Sequence, residues 1–181
     1  MAETLDGTVF RTAEGWCAFS WGPRGLRRFV LPRKSQWDAA EEIAPAAVLS
    51  PGTVPAPWDA LVKDVTRYFQ GEGPIDFSRF PVDLDGTSGF TRRVYEAMKK
   101  IPWGCVATYG ELAASAGNRK AARAVGQACS RNPVALVIPC HRVVAACGLG
   151  GFGGRLDLKR RMLDIEGAGY RPREDAPRVD K

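Results

Sequence analysis

A cysteine followed directly by the chain's single histidine, Cys140-His141, lies inside the stretch Ile138-Pro139-Cys140-His141-Arg142-Val143-Val144. The pair is a candidate nucleophile and base. A thiol attacks as its thiolate, which is scarce at neutral pH for an ordinary pKa near ~8.5, and an imidazole is the usual group that takes the proton. Read alone, a cysteine after an apolar run is most often an inert core residue, and a solitary histidine most often a structural one. Neighbouring side chains diverge, so thiol and base are expected to communicate through a water or a turn. The five cysteines, at 17, 105, 129, 140 and 147, show no Cys-x-x-Cys spacing, so they suggest neither a disulfide framework nor a structural zinc site. With one histidine, neither a metal site nor a cofactor is expected.

The elements around this pair must position it. Val134-Ala135-Leu136-Val137-Ile138 reads as a short buried strand closed by Pro139, which places Cys140 where a strand stops. Downstream, Gly148-Leu149-Gly150-Gly151-Phe152-Gly153-Gly154 suits either a pocket wall built from peptide groups or a flexible surface loop. A last helix is expected over Leu156 to Glu166, with Leu158, Met162 and Ile165 on one face and Gly167 after it. Upstream, the chain turns helical from Thr87. Phe90, Val94, Ala97, Met98 and Ile101 form one apolar face, stopped by Pro102. Thr108-Tyr109-Gly110-Glu111 is a Thr-x-x-Glu capping box that opens a short helix closed by Gly117. Asn118 then caps a third helix, Arg119 to about Ser130, that carries Arg119, Lys120 and Arg123. Two short helices with a glycine in the turn between them make a helix-turn-helix, a pair that often binds nothing. Here Ala121, Ala122, Ala124, Gly126 and Ala128 leave little side chain to obstruct a groove.

Residues 8 to 31 alternate as strands do. Thr8–Arg11, Trp16–Trp21 and Leu26–Leu31 form an antiparallel meander with turns at Glu14-Gly15 and Gly22-Pro23-Arg24-Gly25. Ser35 caps a short helix through Ile43, and Pro57-Trp58 opens a longer one in which Leu61, Val65, Tyr68 and Phe69 share a face. Pro51 to Pro57 is a loop, and Phe80 to Gly86 connects the two halves. The three tryptophans before residue 40 read as core packing rather than base stacking. No residue before 80 carries recognisable chemistry.

Basic residues exceed acidic ones by 26 to 20, a balance of +6 that favours a polyanionic partner without requiring one. No apolar run approaches the roughly 18 residues of a membrane span, and the N-terminus lacks a basic and then apolar leader. The chain is therefore expected to be soluble and without a membrane partner. Its expected location is the cytoplasm, or the nucleus if its source is a eukaryote.

The Ile-Pro-Cys-His-Arg-Val-Val stretch resembles the active-site signature of the methylated-DNA–protein-cysteine methyltransferases, the O6-alkylguanine-DNA alkyltransferases. Tyr109 to Gly126 resembles their recognition motif, and the likeness runs from about Phe90 to Gly167. It implies an α/β (α+β) fold, with a ribonuclease-H-like α/β domain over 1–85 and a mainly helical catalytic domain with a winged/helix-turn-helix motif over 86–170; the tail 171–181, rich in proline and charge, is expected to be disordered. The implied partner is the minor groove of double-stranded DNA containing alkylated guanine, bound by a monomer, with alkylthymine as a second substrate to test. The implied reaction is a single irreversible transfer of the alkyl group to Cys140 after the base has been flipped out.

The resemblance also implies the site. His141 would be the base, with Glu166 orienting it, Asn132 fixing the loop and Tyr109 assisting the leaving guanine. DNA contacts would come from Thr91, Tyr109, Asn118, Ala121, Ala122, Arg123 and Gly126, with Arg123 entering the base stack. Pro139, Val143, Phe152 and Gly153 would line the base pocket. The chain departs from the family pattern at Phe152, where tyrosine is usual, and at Gly154-Arg155, where a Gly-Gly pair is usual. Three other readings stand beside this one: a damage-flagging alkyltransferase-like protein, which would lack the reactive cysteine; a helix-turn-helix regulator; and a cysteine hydrolase, which would turn over.

Overall fold

The structure is a computed structural model and describes residues 5–43, 47–49 and 54–169. The tail 171–181 and the first part of the Pro51–Pro57 loop lie outside the described residues. The chain is a mixed α+β protein whose packing forms two compact units. One is the chain up to Ser88 together with Asn132–Ile138, and the other is Gly89–Arg131 together with the chain from Pro139 onward.

In the first unit the predicted meander is present as β1 (Leu5–Thr12), β2 (Gly15–Gly22) and β3 (Gly25–Arg33), antiparallel throughout. A fourth strand, β4 (Ala47–Leu49), runs parallel to β1 and makes the sheet order β3-β2-β1-β4. Three residues are too few for alternation to reveal a strand. Helix α1 (Gln36–Glu41) opens on Ser35, whose hydroxyl accepts the Asp38 N–H at 3.1 Å. Helix α2 (Trp58–Phe69) buries the whole predicted stripe of Leu61, Val65, Tyr68 and Phe69. The core gathers around Phe19, whose ring lies 5.4 Å from Trp21 and 6.2 Å from both Phe29 and Trp58. Burying each such ring is worth about 2–3 kcal/mol. Trp37 corrects the core reading of the tryptophans, since on α1 it is 77% exposed. Gly25 sits at φ +133, where a Cβ would meet the Pro81 carbonyl, because residues 81–83 are hydrogen-bonded alongside the start of β3.

The expected strand Val134–Ile138 is not a strand. Its residues are buried, apart from half-buried Ala135, but they fold into a tight loop. The Ile138 N–H reaches the Val134 carbonyl at 2.9 Å and Leu136 takes φ +76. An unbroken apolar run satisfies a buried loop as well as a buried strand, so the sequence pattern cannot separate them. Asn132 is the device that bends the chain. Its side-chain oxygen accepts the Val134 N–H at 3.1 Å, and its amide donates to the Ile138 carbonyl at 2.8 Å.

The second unit holds α3 (Gly89–Lys99), α4 (Tyr109–Ser115), α5 (Ala122–Ser130) and α6 (Leu156–Ile165). A two-stranded parallel ladder accompanies them, β5 (Ala107–Thr108) with β6 (Val143–Val144). The capping box of α4 is formed in both directions, with Thr108 Oγ1 accepting the Glu111 N–H and Glu111 accepting the Thr108 N–H at 2.7 Å. Asn118 does not cap the third helix. Its oxygen accepts the Lys120 N–H at 3.1 Å in a local turn, and the helix begins only at Ala122. An asparagine side chain can bond the backbone two residues on as readily as it caps, and here the turn takes it. Helix α3 secures the helix-turn-helix by two bonds to carbonyls. Arg93 donates to Ala116 and the Tyr95 hydroxyl donates to Ala128, each at 3.1 Å. Among the described residues no helix is long and apolar enough to cross a membrane.

Candidate active site

Cys140 opens a single 3-10 turn, Cys140–Arg142, that ends directly in β6. Such a turn closes in three residues, so it holds Cys140, His141 and Arg142 within one short rigid step. All three are buried. Because β6 pairs with β5, and Thr108 of β5 caps α4, the ladder fixes Tyr109, the first residue of that helix, relative to the cysteine turn.

His141 Nε2 lies 2.7 Å from Glu166 Oε1. The other oxygen of Glu166 accepts from Arg142 Nε at 2.7 Å, and Arg142 Nη2 donates back to Oε1 at 3.1 Å. The third donor of Arg142 reaches the Ile101 carbonyl at 2.7 Å. Burial works to raise the Glu166 pKa, but the hydrogen bond with His141, and then the hydrogen bonds and charge of Arg142, overcome it and hold the pKa at about 2. Burial pushes His141 the other way, below its ordinary value and towards the neutral ring, despite the carboxylate beside it. Arg142 is thus the permanent cation of the group. An ionised carboxylate only accepts, so Nε2 carries the ring hydrogen and Nδ1 of the neutral imidazole keeps the lone pair. In that form the ring can accept a proton.

Burial raises the Tyr109 pKa and outweighs the backbone hydrogen bond with Gly151 that lowers it, so the phenol keeps its proton and can donate. Gly150 packs against that ring; at φ +72, a Cβ there would come within 2.8 Å of the Tyr109 hydroxyl. Gly150 is therefore a close wall against Tyr109, whereas Gly151, Gly153 and Gly154 of the same stretch are exposed. Burial, and then the charge of Cys140, push the Cys129 thiol up to about 12, which leaves it neutral.

The remaining sequence candidates are distributed around this centre. Val143 and Pro139 are buried on either side of the cysteine turn, and Asn132 holds the carbonyl two residues ahead of Cys140. Phe152 is half-buried and Gly153 is exposed. Asn118 and Arg123 are exposed on the helix-turn-helix, Ala121, Ala122 and Gly126 are half-buried there, and Thr91 is half-buried on α3. Two residues escaped the sequence reading. Arg142 is by sequence only a member of the motif, and it is the fold that gives it both oxygens of Glu166. Lys159 lies on the buried face of α6 with Leu158, Met162 and Leu163, whereas Ile165, expected on that face, is only half-buried. Its position three and four residues before Met162 and Leu163 was the available signal.

A buried imidazole–carboxylate pair directly after a buried cysteine, in the same unit as a helix-turn-helix, defines a protein with a candidate cysteine nucleophile and a nucleic-acid-binding motif. Residues 89–168 match the family model described as 6-O-methylguanine DNA methyltransferase, DNA binding domain. The methylated-DNA–protein-cysteine methyltransferase of Metallosphaera sedula is 46% identical over 108 residues, covering 60% of this chain and 67% of the relative. That of Methanopyrus kandleri is 47% identical over 109 residues, covering 60% of this chain and 80% of the relative. The crystal structure of Mycobacterium tuberculosis OGT in complex with DNA superposes with a TM-score of 0.73 at 32% identity, over 90% of this chain and 92% of that one. The chain belongs to the methylated-DNA–protein-cysteine methyltransferase family. It is a DNA-binding methyltransferase of DNA repair.

Proposed function

We propose that Cys140 removes the alkyl group from O6 of guanine in duplex DNA and keeps it. The observation that carries this reading is the Glu166–His141 contact of 2.7 Å, buried and immediately beside the cysteine. Glu166 orients the imidazole, and His141 takes the thiol proton through an intervening water. The thiolate then forms the S–C bond while the C–O6 bond breaks, and its electron pair leaves with the guanine. The Tyr109 phenol supplies the proton that the leaving base needs. In this reading residues 1–85 are a supporting domain and residues 86–170 carry the chemistry, in a monomer acting in the cytoplasm, or in the nucleus of a eukaryote.

The reacting atom of guanine lies inside the duplex, so the nucleotide must be extruded into a pocket. Here that pocket is assigned to Pro139, Val143, Phe152 and Gly153, and the groove contacts to Thr91, Tyr109, Asn118, Ala121, Ala122, Arg123 and Gly126. Exposed Arg123, in the first turn of α5, is the candidate wedge entering from the minor groove, as wedge-inserting proteins do. The small residues beside it permit close approach of the helix. Arg123→Ala should slow repair of paired methylguanine about 100-fold, corresponding to the few kcal/mol that extrusion costs, and transfer from free O6-methylguanine far less. Single-turnover rates on both substrates test this. Equal slowing would remove the wedge role.

Tyr109 and the glycine wall offer a second test. Gly150→Ala places a methyl group against the phenol at a backbone angle that costs a residue with a Cβ roughly 1–2 kcal/mol. Methyl transfer should fall about tenfold or more, because a displaced phenol no longer meets the leaving base. Urea unfolding should show a loss of only ~1–3 kcal/mol. A rate equal to wild type in the folded variant would separate Tyr109 from the chemistry.

A further inference from the structure

Lys159 has no part in the mechanism above, yet its side chain is fully buried. Its Nζ donates to three backbone carbonyls, Val143 at 2.6 Å, Leu149 at 2.5 Å and Gly151 at 3.3 Å. Two of these belong to the glycine-rich wall and one to β6, three residues beyond Cys140. The Phe152 ring lies 5.9 Å from the same nitrogen. All three acceptors are neutral. A buried ammonium held only by carbonyl dipoles is costly unless a negative charge faces it.

The groups that face Lys159 electrostatically are Cys140, Cys129 and His141. Burial lowers the Lys159 pKa, while negative charge on Cys140 or Cys129 raises it again. Cys129 is held neutral, its pKa being pushed to about 12, which leaves Cys140, three residues before the Val143 carbonyl that Lys159 holds, as the thiol whose ionisation Lys159 would offset. Lys159 in turn helps to lower the pKa of His141, which keeps the imidazole in its basic form.

We infer that Lys159 is a positioning residue for alkyl transfer: its ammonium ties the glycine wall to the strand after Cys140 and is the counter-charge of the thiolate. This rests on the reading of Cys140 as the acceptor. The charge and the clamp are separable in chemistry. An arginine would keep the charge, but its planar fork cannot point one nitrogen at three converging carbonyls.

The test is the pH profile of Cys140 alkylation by iodoacetamide, read at the Cys140 peptide by mass spectrometry, together with single-turnover methyl transfer. In Lys159→Met the titration midpoint of Cys140 should rise by about one pH unit, making alkylation at pH 7 about tenfold slower, and methyl transfer should fall at least as far. Lys159→Arg should restore the midpoint but only part of the transfer rate. A Cys140 midpoint unchanged in folded Lys159→Met overturns the inference. Should Lys159→Met fail to fold, the Lys159 side chain can be titrated by NMR in the wild type and in Cys140→Ser. A fall in its midpoint in Cys140→Ser supports the counter-charge, and an identical midpoint overturns it. A wild type that transfers no methyl group while the Cys140 midpoint still depends on Lys159 refutes the proposed substrate and not the role of the lysine.

Discussion

Incubation of the protein with a duplex containing O6-methylguanine should add one methyl group per chain, on Cys140 and nowhere else. The trace should rise to the amount of protein and stop. The physical reason is the product: a thioether sulfur is a poor leaving group, and no residue of the site offers a nucleophile to reopen the S–C bond. Cys129 is excluded as a competing acceptor because its thiol, pushed to about 12, carries almost no thiolate at neutral pH. Cys105 and Cys147 are exposed, and neither adjoins His141 in the chain as Cys140 does. Cys140→Ala should lose transfer altogether and still bind DNA, since the helix-turn-helix does not depend on the thiol. Intact-mass and peptide mass spectrometry decide the outcome. Continued turnover, or a methyl group on another cysteine, would refute the assignment.

Arg142→Met should cost about 3–5 kcal/mol of stability at pH 7, the usual consequence of leaving a buried carboxylate without its cation. The pH dependence identifies the cause. Glu166 has a folded pKa of about 2 against an ordinary 4.5. A depressed carboxylate stabilises the fold fully above the unfolded value and loses that contribution as pH falls from 4.5 towards 2. Without the guanidinium, only His141 opposes burial, so the Glu166 pKa rises and much of this contribution is lost. His141 shifts in the same sense, because Arg142 is among the charges that keep its pKa low. The gap between wild type and variant should therefore be widest at neutral pH and narrow by about 1–2 kcal/mol at pH 3.5, at ~1.4 kcal/mol for each pH unit. Urea unfolding at the two pH values measures it. A gap of the same size at both would mean that Arg142 acts through packing alone.

Much of this protein was legible in its sequence wherever the physics is local. The Thr108–Glu111 capping box, the Ser35 cap, the α2 stripe and the β1–β3 meander depend on residues within a turn of one another, and each formed where the pattern placed it. Cys140 and His141 were legible because they are adjacent and because this chain has one histidine. What lay beyond the sequence were choices between local options of similar energy. Asn118 could cap a helix or close a turn, and Val134–Ile138 could extend or curl. The tertiary context decided both, the second through the two hydrogen bonds of Asn132. Only the tertiary structure brought Glu166 to His141 across 25 residues and gave Arg142 its carboxylate across 24. Lys159 shows the limit most plainly. A lysine on an amphipathic helix is assigned to solvent by its charge, and only the three carbonyls that converge on its nitrogen make a buried position tolerable.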